Sequence, residues 1–155
     1  MRSKYVTKPS EIEDILNKCD VCYVGMVDQN QEPYVVALNY GYRDNCLYLH
    51  SAKTGRKIEI LKTNNKVCVA LSTDHLLRAQ HEAVACSYAM HYRSAVIHGH
   101  VEFIEDNDQK MEALNIIMKH YTGHEFSYNL PAVREVEVYK VIIEKIQARQ
   151  LGYVS

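Results

Sequence analysis

Two adjacent cations, a glycine and two hydroxyls are gathered where a β-rich run gives way to a helical pattern, in Leu47-Tyr-Leu-His-Ser-Ala-Lys-Thr-Gly-Arg-Lys57. The run breaks at His50-Ser51 into a short polar loop, and the spacing that follows predicts a helix from Arg56 to Thr63. The first N–H groups of a helix have no intrahelical acceptor and sit at the positive end of its dipole, so an anion is favoured there. A guanidinium and an ammonium would add charge-assisted bonds. The block therefore reads as a phosphate seat made by Ser51, the Thr54-Gly55 turn, Arg56 and Lys57. It contains neither the Gly-x-x-x-x-Gly-Lys-Ser/Thr run of a P-loop nor the Gly-x-Gly-x-x-Gly of a dinucleotide fold. A phosphate on a smaller or differently held group fits better than ATP or NAD.

Ahead of this block stands a second apolar run, Pro33-Tyr-Val-Val-Ala-Leu-Asn-Tyr-Gly-Tyr42, set off by the turn Arg43-Asp44-Asn45. Asn65-Lys-Val-Cys68 and Tyr92-Arg-Ser-Ala-Val-Ile-His-Gly99 follow further on. In this order the segments resemble the FMN-binding split-barrel family, which is named for pyridoxamine 5′-phosphate oxidase. Within it they resemble the branch grouped with 5-nitroimidazole resistance proteins. The resemblance runs from Ser10 to Gln147, with one departure: Ala37 stands where the branch often carries proline. It implies that residues at the positions of Leu49, His50, Ser51, Arg56 and Lys57 hold FMN. It also implies a homodimer with FMN at the subunit interface, in which Ser94 reaches the cofactor from the partner subunit.

An FMN site has three physical requirements: cations and N–H donors for the phosphate, an apolar slot for the ring system, and donors or a cation where charge develops on reduction. The seat around Ser51, Gly55, Arg56 and Lys57 meets the first. Val35, Val36, Ala37 and Leu38 offer backbone and apolar walls, and Asn39 a side-chain amide. His50 admits two readings. It is either a strand-end histidine that hydrogen-bonds its own loop, or a group against the flavin that donates a hydrogen bond or delivers a proton to a reduced substrate. The order Tyr-x-His-Ser-Ala resembles the nitroimidazole-resistance branch and favours the second, with His50 as the catalytic candidate.

The elements that must position these residues follow from periodicity. Thr7 to Asn17 is helical, with Ser10 and Glu13 at capping-box spacing and Ile12, Ile15 and Leu16 forming a stripe. Cys22 to Val27 alternates as a strand, and Asp28 to Glu32 is a turn into Pro33. After the helix at Arg56 come a short β-branched run, Val67 to Leu71, and a polar stretch without periodicity, Thr73 to Ala83. Val84 to Ile104 reads as strand with a break at Gly99. Asp106 or Asn107 caps a helix carrying Met111, Leu114, Met118 and Tyr121. Thr122 to Pro131 is loop and Val136 to Ile146 a last strand. The chain is thus expected to form one α+β domain, residues 1–155: a small antiparallel six-stranded split β-barrel with flanking helices.

Composition narrows the class. At 155 residues, 47% apolar and 24% charged, the chain can bury a core as a single domain. A net charge of −1 advertises neither nucleic acid nor an acidic membrane. No apolar run approaches a bilayer-spanning length and the N-terminus has no signal-peptide pattern, so the expected location is cytoplasmic. Five cysteines without scaffold spacing read as free thiols, with Cys19 and Cys22 as apolar fillers. His98 and His100 flank Gly99 in a His-x-His pattern, but no third ligand stands at matching spacing, and no metal site is assigned. There are twelve tyrosines and no tryptophan. The alternating Tyr34, Tyr40, Tyr42 and Tyr48 are expected to share one or two faces and are read as covering a subunit interface.

The leading functional reading is an FMN-dependent oxidoreductase acting on a small molecule, with the flavin doing the redox work. Pyridoxamine 5′-phosphate oxidase activity itself is not expected. That enzyme resembles this chain only in its barrel half and adds tryptophan- and arginine-containing segments, whereas this chain has no Trp and stops soon after Arg149. Two rival readings are a flavin-binding or storage module without turnover and a haem-handling split barrel, the latter prompted by eight histidines.

Overall fold

Alternation in Cys22-Tyr-Val-Gly-Met-Val27 sets Cys22, Val24 and Met26 on one face, and all three are buried in the computed structural model, which describes residues 2–154. The same rule, applied strand by strand, builds one antiparallel sheet. In chain order the elements are β1 (Lys4–Val6), α1 (Pro9–Lys18), β2 (Cys22–Val27), β3 (Pro33–Leu38), β4 (Gly41–Arg43), β5 (Cys46–Ala52), α2 (Arg56–Thr63), β6 (Lys66–Ala79), β7 (Tyr88–Ile104), α3 (Asn107–Thr122), α4 (Leu130–Arg134) and β8 (Val136–Leu151). The strands follow the order β3-β2-β6-β7-β8-β5-β4, with β1 paired to β8. Inward residues from this curled sheet, among them Val24, Val69, Ile97, Leu49 and Val141, make one apolar core. α1 and α2 contribute Ile15, Leu16, Ile58 and Leu61 to it.

The sheet has eight strands and its path does not close, so the expected six-stranded count is corrected. The additional strands, β1 and β4, have three residues each, too few for an alternation to register. The run from Pro33 to Tyr42 is not one strand: β3 ends at Leu38, and Tyr40 turns into the core. Its hydroxyl donates to the carbonyls of Leu16 and Cys19 at the end of α1. Tyr40, fully buried, therefore does not share an exposed face with the other tyrosines of this region. Between β4 and β5 the tight turn is made by Asp44 and Asn45, both at positive φ (49° and 63°), as a two-residue hairpin turn demands.

Ser10 is not a cap. Pro9 occupies the first turn of α1, Lys8 precedes it, and no side chain caps the helix. Asp106, by contrast, caps α3 by accepting from the Gln109 N–H. α4 falls partly within the stretch expected to be loop, and β8 runs beyond Ile146 to Leu151.

The largest departure is the polar stretch from Thr73, which continues as strand to Ala79 after an irregularity between Thr73 and Leu76, with Asp74 at φ 57°. Residues 76–79 and 88–91 pair only with each other, because β2 reaches no further along β6 than Ala70 and β8 no further along β7 than Tyr92. The result is a two-stranded arm projecting from the barrel. The break expected at Gly99 is present as a register shift: His98 pairs with Lys145 and Gly99 with Ile143, so Glu144 is the extra residue of a bulge on β8. Among the described residues no helix is long and apolar enough to cross a membrane.

Candidate functional site

β3 starts the strand path and β4-β5 ends it, and between the two an open cleft of about 350 Å³ is lined by Ala37, Leu38 and Asn39 on one side and by His50, Ser51, Ala52 and Lys57 on the other. Val21, just before β2, completes it. The cleft is thus the seam of the barrel, and the residues that close it come from strand ends and from the first turn of α2.

Each position follows from local chemistry. On β5, Leu47 and Leu49 point into the core, so Tyr48 and His50 point away from it. The strand stops at Ala52, and Gly55 at φ 127°, with nothing near its missing Cβ, turns the chain into α2. No side chain caps this helix, and its first backbone bond runs from the Glu59 N–H to the Gly55 carbonyl. The N–H groups of Arg56, Lys57 and Ile58 precede that bond and remain available to an anion beside the cleft.

His50 is half-buried, and its Nδ1 is the one buried side-chain polar atom without a hydrogen-bond partner among the described residues. Burial holds its pKa below the ordinary histidine value, so the ring is neutral at neutral pH. A buried orphan nitrogen is costly and is retained where something else completes it. The reading of His50 as a histidine that only bonds its own loop finds no such bond here. The Ser51 hydroxyl donates to the Ala52 carbonyl (3.1 Å) and accepts from the Tyr139 hydroxyl (3.2 Å). Tyr139 is a buried core residue that the sequence offered no pattern to select, and burial raises its pKa.

The two cations separate. Lys57 lines the cleft. The Arg56 guanidinium lies over the Tyr34 ring, 4.3 Å from its centroid, and 3.7 Å from the Asp28 carboxylate. It borders a neighbouring groove with Asp28, Asn30 and Glu59. Leu49 is fully buried and Val36 packs against the core, so neither lines the cleft. Ser94 sits in the middle of the sheet, paired with Ser72 and Arg149, and does not line the cleft of its own chain. Val21 and Ala52 are the lining residues that sequence reasoning missed, since neither carries a side chain with chemistry of its own.

Elsewhere, His98 and His100 have partners of their own. His98 Nε2 lies 4.0 Å from the Cys68 Sγ across the β6–β7 pair, and His100 Nδ1 is 2.6 Å from the carboxylate of the bulged Glu144. No group of three or more His, Cys, Asp or Glu side chains is arranged to hold a metal among the described residues. All five cysteines are free thiols. Burial pushes the thiol of Cys19 up to about 11 and that of Cys22 up to about 12, which fits fillers and not nucleophiles.

Against this geometry stand the comparisons with known proteins. A family model described as pyridoxamine 5′-phosphate oxidase matches residues 8–150. No curated protein matches the chain. Among solved structures, a candidate 5-nitroimidazole antibiotic resistance protein from Bacteroides thetaiotaomicron superposes with a TM-score of 0.86 at 45% identity, covering 96% of this chain and 87% of that one. An FAD and haem binding protein from Mycobacterium smegmatis gives 0.82 at 16% identity over 97% and 74% of the two chains. A candidate pyridoxamine 5′-phosphate oxidase from Listeria innocua gives 0.60 at 22% identity over 93% and 98%. The last two share the fold.

Proposed function

The chain belongs to the pyridoxamine 5′-phosphate oxidase family of split barrels, in its nitroimidazole-resistance branch, and on that premise we propose that it is an FMN-dependent oxidoreductase of small molecules with the seam cleft as its active site. The observation that carries the reading is the orphaned Nδ1 of His50, buried in a cleft whose other members meet the demands of a flavin phosphate and ring. The α2 N-terminus, Lys57 and the Ser51 hydroxyl would hold the phosphate; Ala37, Leu38 and the Asn39 amide would border the ring. Bound FMN supplies reversible transfer of an electron pair.

The protein's own residues then do four things. Lys57 neutralises phosphate charge. Tyr139 fixes the Ser51 hydroxyl through their hydrogen bond, so that it is presented in one orientation. The apolar walls exclude water from one side of the cleft. His50, neutral through burial, holds a proton on one ring nitrogen that can bond to, or be delivered toward, a group seated beside it. The cleft is open on its outer side, and a second copy contributing Ser94 closes it in this reading, giving a homodimer with equivalent sites at the interface.

The test is spectroscopic. Purified protein should carry flavin absorption bands, and anaerobically reduced protein should be reoxidised by a nitroimidazole. A haem Soret band instead of flavin would overturn the cofactor assignment. Flavin that no nitro compound reoxidises would make the protein a flavin container.

A further inference from the structure

α3 reaches both walls of the seam and is bonded to them at its opposite ends. Near its start Lys110, only 6% exposed, donates from Nζ to the Val136 carbonyl (3.0 Å). Val136 is the register partner of Ala52, and Val138, against which Ala113 of α3 packs, is that of His50. Ala52 and His50 line one side of the cleft. In the last turn of α3 His120 Nε2 donates to the Cys19 carbonyl (2.8 Å), which can only accept. The Tyr121 hydroxyl donates to the Asp20 carbonyl (2.6 Å) and accepts the Tyr40 N–H (3.1 Å). Cys19 and Asp20 lead directly into Val21, and Tyr40 follows Asn39. Val21 and Asn39 belong to the other side of the cleft.

The sheet's own hydrogen bonds do not fix the gap between these walls. The strand path begins at β3 and ends at β4, so no ladder joins β3 to β5 among the described residues. What joins them is the short link from Leu38 to Gly41 and the helix laid against it. At Gly41 the approach is backbone to backbone: a Cβ there would lie 2.5 Å from the Ile116 carbonyl oxygen. From Lys110 to Tyr121 the helix rises ~16 Å at ~1.5 Å per residue, a length set by its internal hydrogen bonds. Both ends are firmly held. A buried ammonium is costly unless bonded, which ties Lys110 to its carbonyl. His120 is packed between two rings, with centroids 4.6 Å from that of Tyr40 and 4.7 Å from that of Tyr121.

We propose that α3 is a strut that sets the width of the cleft, with Lys110 and Tyr121 as positioning residues for the flavin at its two ends. The inference rests on the flavin reading of that cleft. Neither residue lines the cleft; each acts through the wall to which it is bonded. Width matters because contact attraction is short-ranged, and a gap of about 0.5–1 Å already forfeits a quarter to a half of it. Freeing either end lets its wall relax, and freeing the other end then has little left to undo. Residues ~16 Å apart along a helix ordinarily contribute independently. In this arrangement Lys110 and Tyr121 are independent in stability and coupled in flavin binding.

The experiment is a double-mutant cycle on the full chain. Tyr121→Phe keeps the ring and removes the hydroxyl; Lys110→Met keeps the stem and removes the ammonium. Each single variant should weaken FMN roughly tenfold, and the double variant also roughly tenfold instead of about a hundredfold. Urea unfolding of the apoproteins should give additive losses. Tyr128→Phe, which removes a hydroxyl bonded to Asn115 in the middle of α3, should leave FMN binding unchanged. Additive losses of FMN affinity, or unchanged affinity in the folded single variants, overturn the proposal. A second readout needs no flavin. Pyrene labels on Asn39→Cys and Ala52→Cys, with Cys46, Cys68 and Cys86 replaced by Ser and excess unlabelled protein present, report separation across the seam by excimer emission. Either α3 variant should change the excimer-to-monomer ratio, and an unchanged ratio overturns the strut. A changed ratio in protein that never binds flavin upholds the strut and overturns the flavin reading.

Discussion

The Arg56 guanidinium lies over the Tyr34 ring, 4.3 Å from its centroid, while the adjacent Lys57 lines the cleft. Neighbouring residues at a helix start point about 100° apart, so a pair of cations in sequence need not be a pair in space. Arg56 is already engaged by an aromatic face and by Asp28, whose own carboxylate is held in its turn by the N–H groups of Asn30 and Glu32.

The two cations should therefore separate in a binding assay. Lys57→Ala removes a charge-assisted contact to the phosphate, worth about 1.5–3 kcal/mol, and should weaken FMN roughly tenfold to a hundredfold. Arg56→Ala removes an exposed stacking contact worth about 0.5–1 kcal/mol and should appear mainly as a small loss of stability. Fluorescence titration of the apoproteins with FMN checks this. Equal losses for both variants would place Arg56 on the phosphate as well.

Gly99 offers a sharper structural test, because the β8 bulge brings backbone against it. A Cβ there would lie 2.2 Å from the Ile142 carbonyl oxygen and 3.0 Å from the Val141 Cγ1. The obstacle is backbone inside the sheet and cannot rotate away, so the bulge must move. Gly99→Ala should cost about 3 kcal/mol or more, at the upper end of overpacking losses. Urea unfolding measures it. A variant within about 0.5 kcal/mol of wild type, a change typical of neutral surface positions, would show that the sheet yields here at little cost.

These two residues also show what the sequence could disclose. Gly99 was legible because a lone glycine in a β-branched run has few reasons to be there, and α2 because its polar start and apolar stripe agree. β2 was legible because its alternation is strict. What escaped is set by long-range packing. Tyr40 looks like its neighbours in an aromatic run, and only the approach of α1 makes it a core residue bonded to Leu16 and Cys19. The β6 half of the arm escaped because His75 to Arg78 are all exposed, which erases the period on which a strand assignment depends. In the cleft, side chains with chemistry were found and the small lining residues were not. The direction of Arg56 is decided by Tyr34 and Asp28, far from it in sequence.

His50 decides between catalyst and container, and pH gives it a second signature. Its pKa is lowered by burial, so the unfolded chain binds a proton more readily than the fold does. Stability from keeping this ring neutral is fully present above the unfolded value near 6.5 and is lost as pH falls below it, toward the lowered folded value. His50→Gln should flatten the part of the stability profile that lies below about pH 6.5, measured by thermal unfolding without ligand. With FMN bound, His50→Ala should retain the flavin yet slow its reoxidation by a nitroimidazole by roughly 10²-fold, the scale expected for loss of a positioned proton donor. Anaerobic stopped-flow isolates that step. Equal reoxidation rates in wild type and His50→Ala, with the pH profile of His50→Gln flattened as expected, would leave the residue a buried structural imidazole and remove it from the chemistry.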